Sequence, residues 1–352
     1  MVIRDSSGIR FALVMAMVTL GVLHVKAQDK TRVFIMTDIN IDSGDPDDRQ
    51  SLVHLLWYAD ELEIEGVIPH RWESGALEAC ELAINAYKSD FQRLGLLDWG
   101  FQDPDDVRTK IAIDRLHGME LFRNAASEMG SPLYVLVWGN MLTLKEALFE
   151  YPELARNIRV VSIGTGLMLE SNIPYMSKSR EKERPCIQTN WNGLGRNEIY
   201  EDPRFDSLWW LEINWTYEGM FVGGQPVEML QKLSGYGMMG KHLQEVVKKE
   251  AWAQYFRVGD TPSVLYVISP HHPLDDPTQS SWAGKFQRPF PDARPNYFTD
   301  YSGDLDWNYA DPCASWGIHE QVKDIAVNTL FEQREEMYRA LLTKLSELYE
   351  KK

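Results

Sequence analysis

Short apolar runs alternate with helix-spaced apolar residues through the first half of this 352-residue chain. Four runs rich in β-branched and other apolar residues predict buried strands at 32–38, 62–69, 132–139 and 158–166. Helices are predicted from the segments between and after them, at 47–61, 76–94, 118–129 and 143–151. This alternation predicts an α/β fold of Rossmann type, with an open, mostly parallel sheet flanked by helices.

The second half of the chain is less regular. Residues 167–225 are rich in Asn, Trp, Gly and Tyr and lack a sustained period. Beyond them the pattern predicts a helix near 240–254, a strand at 263–268, and a closing helix from 318 after a Pro-rich loop region. Because no linker marks a second domain, we predict a single domain over residues 28–352.

The N-terminus has the order of a secretory signal peptide. Arg4 and Arg10 precede the apolar run Phe11–Leu23, and small residues near Ala27 offer a cleavage site. An N-terminal anchor helix is the alternative, but the run is short for a membrane span. We therefore expect residues 1–27 to be removed, leaving a periplasmic or secreted protein without a membrane span.

The charge balance is strongly acidic, with 36 Lys and Arg against 52 Asp and Glu, a net −16. Removal of residues 1–27 takes away a net +2 and leaves −18. Nucleic-acid affinity depends on basic residues against phosphate, so nucleic acid is not an expected partner. The sequence leaves a homo-oligomer open.

The three cysteines, Cys80, Cys186 and Cys313, lie far apart and form no CxxC pair. This spacing argues against a zinc site or a disulfide scaffold. At most one intrachain disulfide can form, and we expect plain buried cysteines.

Five aspartates crowd residues 38–48, the stretch that leads from the first predicted strand into the first predicted helix. Composition alone favours a solvated loop. However, ligands of open parallel sheets bind beyond the carboxyl ends of strands, and a helix start offsets part of the negative charge. Oxygen-rich clusters suit Ca²⁺ or Mg²⁺. An EF-hand is excluded because Gly44 falls one place late and Arg49 stands where a Glu is required.

This stretch resembles the N-terminal signature of the inosine–uridine nucleoside hydrolase superfamily, an apolar strand followed by D-x-D-x-G-x-D-D. Here Asn40-Ile-Asp42-Ser-Gly44 leads to Asp47-Asp48 with one extra residue, and Asn40 stands at the first Asp unless Asp38 takes that part. A secreted bacterial nucleoside hydrolase-like branch, one member of which carries a cellulose-binding label, is more similar still. Its pattern appears as Thr37-Asp38 and PDDRQSLVHLLWYADELEIEGVI at 46–68.

The resemblance implies a metal site and a general base. Asp38 or Asp42 would hold Ca²⁺, with Mg²⁺ as the alternative ion, together with Asp48, Asp260 and the backbone carbonyl of Leu142. Asp47 would take the proton of a water that attacks an anomeric carbon and inverts its configuration. Asp260 enters only through the motif GDTPSVLYVI at 259–268, since Gly-Asp-Thr-Pro is also ordinary turn chemistry.

The resemblance also implies residues that bind the substrate. Polar and aromatic side chains of the irregular middle and a later loop would bind sugar hydroxyls and stack on sugar rings: Asn190, Trp191, Asn192, Asn197, Glu198 and Trp282. The segment LWWLEINW at 208–215 partly alternates like a strand, so about half of the tryptophans in this region are expected in the core.

Gly259 stands where true nucleoside hydrolases carry a leaving-group histidine, which argues against departure of a nucleobase. The resemblance therefore implies an exported Ca²⁺-dependent hydrolase of N- or O-glycosidic bonds, with a small sugar, a nucleoside or a glycan as ligand. The alternative is a carbohydrate-binding protein that retains the metal site without turnover. No G-x-S-x-G, H-E-x-x-H or P-loop motif supports another hydrolase or an NTPase.

Overall fold

The computed structural model describes residues 30–41, 45–166, 193–247, 254–270 and 272–350. Seven strands form one sheet in the order β2-β1-β3-β4-β5-β7-β6, parallel except for β6 against β7. The strands are β1 (Thr31–Thr37), β2 (Leu62–Pro69), β3 (Leu133–Trp138), β4 (Ile158–Ile163), β5 (Trp209–Ile213), β6 (Phe286–Gln287) and β7 (Tyr297–Asp300). The predicted α/β class is confirmed.

Helices cover the sheet, and two large clusters of buried apolar residues pack against it. The helices of the described residues are α1 (Asp47–Leu56), α2 (Ala76–Leu94), α3 (Pro104–Thr109), α4 (Arg115–Ser127), α5 (Leu142–Glu150), α6 (Arg196–Tyr200), α7 (Gln225–Leu233), α8 (Gly237–Val246), α9 (Pro262–Ile268), α10 (His319–Phe331) and α11 (Arg334–Glu350). The predicted strands of the first half correspond to β1–β4, and the helices predicted between and after them correspond to α1, α2, α4 and α5.

The strand order places a crevice at the ends of β1 and β3. The chain passes from β1 to β2 on one side, and β3 then pairs with the other side of β1. At such a topological switch point the connections leave in opposite directions, so the carboxyl ends of the two strands are left open for a ligand. Thr37 at the end of β1 is in register with Pro69 and with Trp138.

Residues 262–268 are a helix, so the strand predicted at 263–268 is wrong. All seven residues of α9 are buried, and a fully buried helix has no polar face to reveal its period. Pro262 at the first turn suits a helix start, because its missing N–H has no partner there in any case.

The region predicted to be irregular contains β5, and the Pro-rich region contains β6 and β7. All five residues of β5 are buried, because the strand lies inside the sheet between β4 and β7. The helix predicted near 240–254 is α8, which ends at Val246.

In the part of the chain that the structure describes, no helix is both long and apolar enough to cross a membrane. The predicted signal peptide lies outside the described residues. Cys80 is a buried free thiol, whereas Cys313 is disulfide-bonded. The expectation of plain buried cysteines is therefore wrong for Cys313, and Cys186 lies outside the described residues.

Candidate metal centre and active site

Three carboxylates from two distant parts of the chain meet beyond the carboxyl ends of the parallel strands, called here the carboxyl edge of the sheet. Asp47 and Asp48 begin α1, and Asp260 lies just before α9. One oxygen from each of the three lies within 4.8 Å of the others. Thr37, the last residue of β1, donates its hydroxyl hydrogen to Asp48 and so joins this cluster to the end of the strand.

Burial makes this arrangement costly without a counterion. Burial is the main cause that raises the pKa of Asp47, Asp48 and Asp260 well above the ordinary value. The neighbouring carboxylates raise the pKa of each further. Asp260 is only 5% exposed, and its Oδ2 has no hydrogen-bond partner among the described residues. A buried carboxylate oxygen without a donor is the kind of group that a cation satisfies.

The geometry and the donor atoms fit a hard divalent cation. Calcium–oxygen distances are about 2.3–2.6 Å, so two oxygens on one ion lie up to about 5 Å apart. The 4.8 Å limit of the three carboxylates agrees with that span. All three groups are carboxylates, which suit Ca²⁺ or Mg²⁺ better than a soft ion.

The raised pKa values predict how stability depends on pH when a chelator is present. A carboxyl group with a raised pKa binds protons more tightly in the folded state, so its contribution to stability is lost as pH rises from the ordinary value of 3.8 through the folded value. Wild type should therefore melt below Asp260→Asn at pH 7–8, and the difference in Tm should shrink as pH falls toward 4. Thermal denaturation of both proteins across this range measures it.

Buried histidines make the stability of the protein depend on pH in the opposite direction, so the difference between wild type and the variant is what reports on Asp260. Burial lowers the pKa of His54 to about 3 and that of His70 and His242 to about 4, so acid destabilises both proteins through these side chains. A difference in Tm that stays constant with pH would contradict the prediction.

The structure places Asp38 beside the three-carboxylate cluster. Its Oδ2 lies 3.0 Å from the guanidinium of Arg71, and its negative charge is one of the causes that raise the pKa of Asp48. Burial raises the pKa of Asp38, although Arg71 partly opposes that shift. Asp42, the other candidate for the same role, lies outside the described residues.

Leu142 begins α5 directly after β3, so it lies at the same edge of the sheet as the aspartates. Its backbone N–H donates to the side-chain oxygen of Asn140 at 3.1 Å. The role of its carbonyl as a metal ligand stays a prediction.

Asn197 and Glu198 lie on α6, which packs against α5. The backbone N–H of Met141 donates to the carbonyl of Leu194 at 2.8 Å. This bond joins the residues just before α6 to those just before α5. These two side chains are thus on elements that reach the carboxyl edge, and their contact with substrate stays a prediction. Asn190, Trp191 and Asn192 lie outside the described residues.

Trp282 was predicted to bind substrate, and the structure places it elsewhere. Its backbone N–H donates to Ser269, which follows the last residue of α9, whereas Asp260 precedes the first. The indole is 7% exposed, packs in the main apolar cluster and donates to Glu336 at 3.4 Å. Trp282 is therefore a largely buried residue near the amino ends of the strands, where it lines a surface cavity with Tyr58, Asp60 and Glu61, the residues just before β2.

Two side chains near the aspartates, Arg257 and His70, were not predicted from the sequence. The Nε of Arg257 lies 3.0 Å from Asp45 and 3.9 Å from Asp47. His70 follows β2, and neither of its ring nitrogens has a hydrogen-bond partner among the described residues. The position of His70 after a strand could have indicated it, whereas Arg257 lies in an irregular segment without a period.

Gly259 leaves space that the carboxylate of Asp47 occupies. A Cβ atom at residue 259 would lie 2.8 Å from Oδ2 of Asp47, closer than such contacts allow. A side chain at this position would therefore displace the Asp47 carboxylate.

The open, mostly parallel α/β sheet with three carboxylates at its switch point defines a class of protein in which this end of the sheet could hold a cation. A comparison with protein families then identifies the chain more closely. Residues 32–286 match the family described as "Cellulose-binding Sde182, nucleoside hydrolase-like domain", and the chain belongs to this family. A comparison with curated protein sequences finds no match.

One solved structure supports the fold, and two others show a weaker likeness. A nucleoside hydrolase-related hypothetical protein from Saccharophagus degradans, described as associated with carbohydrate metabolism, aligns with a TM-score of 0.60 at 16% identity, over 91% of this chain and 72% of that one. An inosine-guanosine nucleoside hydrolase aligns with a TM-score of 0.49 at 12% identity, over 91% and 99% of the two chains. The inosine-uridine preferring nucleoside hydrolase of Bacillus anthracis aligns with a TM-score of 0.45 at 15% identity, over 85% and 99%.

Proposed function

We propose that this protein is an exported, Ca²⁺-dependent hydrolase of glycosidic bonds. The observation that carries the proposal is the meeting of Asp47, Asp48 and Asp260 at the switch point of a nucleoside hydrolase-like sheet. Export rests on the N-terminal sequence, which is expected to be a signal peptide.

The side chains divide into ligands and a base. Asp48 and Asp260, with Asp38 beside them, are the residues that would hold the cation. A divalent cation bound there supplies positive charge that acidifies water and orients sugar hydroxyls. Asp47 is 21% exposed, whereas Asp260 is 5% exposed, so Asp47 is the more accessible of the two to water, and it accepts the proton of the attacking water.

The surroundings of Asp47 suit a general base. Burial and the carboxylate of Asp45 raise the pKa of Asp47, which brings it closer to neutral pH, while the guanidinium of Arg257 opposes the shift. A base whose pKa lies nearer to the working pH accepts a proton more readily than an ordinary carboxylate does.

Gly259 gives no support to a nucleobase as the leaving group. Because residue 259 is a glycine, it has no side chain that could protonate a departing base. The family description names cellulose binding, and the Saccharophagus protein is described as associated with carbohydrate metabolism. We therefore favour an O-glycoside of a glycan as substrate, with N-ribosyl compounds as the second class.

The family description also favours a second candidate function, a carbohydrate-binding protein without turnover. In that case the cation and the acidic cluster would orient sugar hydroxyls, and Asp47 would contribute only charge.

The test is hydrolysis by the mature protein of cello-oligosaccharides, aryl glycosides and nucleosides, each with Ca²⁺ or with EDTA. We expect release of reducing sugar that requires Ca²⁺ and is restored when the ion is added back. Retention on insoluble cellulose with no release from any substrate would support the binding protein instead. Release that is indifferent to EDTA would contradict the proposed role of the cation.

A further inference from the structure

We propose that Gln50 is a positioning residue that joins the two halves of the acidic site, an inference that rests on the proposed cation site. Gln50 lies on α1, two residues after Asp48, and is fully buried. Its side chain leaves the helix and contacts the backbone of residues 255–258, the segment that leads to Asp260.

Both the donor and the acceptor of the Gln50 amide form hydrogen bonds with residues 255–258. Its Nε2 donates to the carbonyl of Tyr255 at 3.0 Å. Its Oε1 accepts from the backbone N–H of Arg257 at 2.7 Å and from that of Val258 at 3.4 Å. One side chain on α1 therefore fixes three backbone groups that belong to no strand or helix.

The fixed segment contains an unfavourable backbone conformation. Val258 has a φ of 35°, and a β-branched residue rarely adopts a positive φ. Such a conformation persists only when neighbouring contacts hold it. Because Gly259 and Asp260 follow at once, the conformation of Val258 sets the direction in which the Asp260 carboxylate points.

Other contacts also join α1 to this part of the chain, including the 3.9 Å approach of Arg257 to Asp47. Thr261 donates its hydroxyl hydrogen to Ser51 at 3.0 Å, and the rings of His54 and Phe256 pack together. Gln50 alone among these binds the backbone immediately before Asp260 at several atoms. A residue that orients a metal ligand typically affects metal affinity by about tenfold to a hundredfold.

Gln102 offers a matched control in the same chain. It is also a buried glutamine, and its amide binds both the N–H and the carbonyl of Ile64, at 2.8 and 3.0 Å. Ile64 lies on β2 near the start of the strand, away from the carboxyl edge that carries the aspartates. Loss of either amide removes similar hydrogen bonds, but only Gln50 acts on the acidic site.

The experiment is calorimetric titration of Ca²⁺ into the whole mature protein, compared among wild type, Gln50→Met and Gln102→Met, with Tm measured in EDTA for each. We expect Gln50→Met to bind Ca²⁺ about tenfold to a hundredfold more weakly. Gln102→Met should bind within about twofold of wild type, with a loss of Tm in EDTA similar to that of Gln50→Met. If Gln50→Met does not fold, Gln50→Asn keeps an amide that is too short to reach both sides of the segment and should show the same direction.

The outcomes separate this inference from the proposed function. Wild-type binding with Gln50→Met unchanged, or with both glutamine variants weakened equally, would overturn the positioning role while leaving the cation site in place. Wild type that binds no Ca²⁺ would overturn the cation site itself and the inference with it.

Discussion

Asp260→Asn will bind Ca²⁺ at least a hundredfold more weakly than wild type, and yet it will be the more stable protein in the presence of a chelator. Both effects have one cause. The three carboxylates repel one another when no cation is bound, so removal of one charge relieves the folded state while it also removes a ligand. An Asn amide can in addition donate a hydrogen bond to a neighbouring carboxylate.

The measurements are calorimetric titration for affinity and thermal denaturation in EDTA for stability. A gain of about 1 kcal/mol is expected, roughly 1–2 °C in Tm for a chain of this length. Asp304→Asn is the control, because Asp304 is an exposed aspartate outside the site and its loss changes the net charge equally. Undiminished Ca²⁺ binding by Asp260→Asn would show that Asp260 is not a ligand.

Asp47→Asn will lose turnover by about a thousandfold or more while it keeps most of its Ca²⁺ affinity. A positioned general base contributes about 10²–10⁴-fold to the rate, and an amide cannot accept the proton. Asp48 and Asp260 remain to hold the cation, together with Asp38 beside them. Initial rates on the best substrate and calorimetric Ca²⁺ affinity, measured on the same preparation, check the two halves of this prediction.

Asp45→Asn is the matched control for the base. Asp45 is two residues away, carries the same charge and lies 3.0 Å from Arg257, but it is not one of the three carboxylates that meet. Its loss should change the rate by only a few fold and shift the acid side of the pH–rate profile downward, because Asp45 contributes to the raised pKa of Asp47. If Asp47→Asn lost Ca²⁺ binding as well, Asp47 would be a ligand and the base would have to be another group.

Elements with a clear period were the predictable part of the fold. The strands β1–β4 are short apolar runs, and the helices between and after them have apolar residues at helical spacing, so each element type is visible in the local sequence. The helix α9 was mistaken for a strand and β5 lay in a region predicted to be irregular, since a segment buried on all sides has no polar face and thus no visible period.

In the candidate site, too, some residues could be recognised from the local sequence and others could not. Asp47 and Asp48 could be recognised because they follow a strand and begin a helix in one short stretch of sequence. Trp282 was assigned to substrate from the family resemblance of its loop, but an amphipathic indole can line a groove or fill a core equally well, and only packing decides.

By itself the sequence determined the α/β class, the acidic stretch at the end of the first strand and, through family resemblance, the pairing of that stretch with Asp260. These features depend on local periodicity and on residue types at short spacing. Only the tertiary structure decided that Gln50 holds the backbone before Asp260, that Arg257 lies beside Asp47, and that Gly259 leaves room for the Asp47 carboxylate. Those contacts join residues about two hundred positions apart, and such proximity is set by how the helices pack on the sheet.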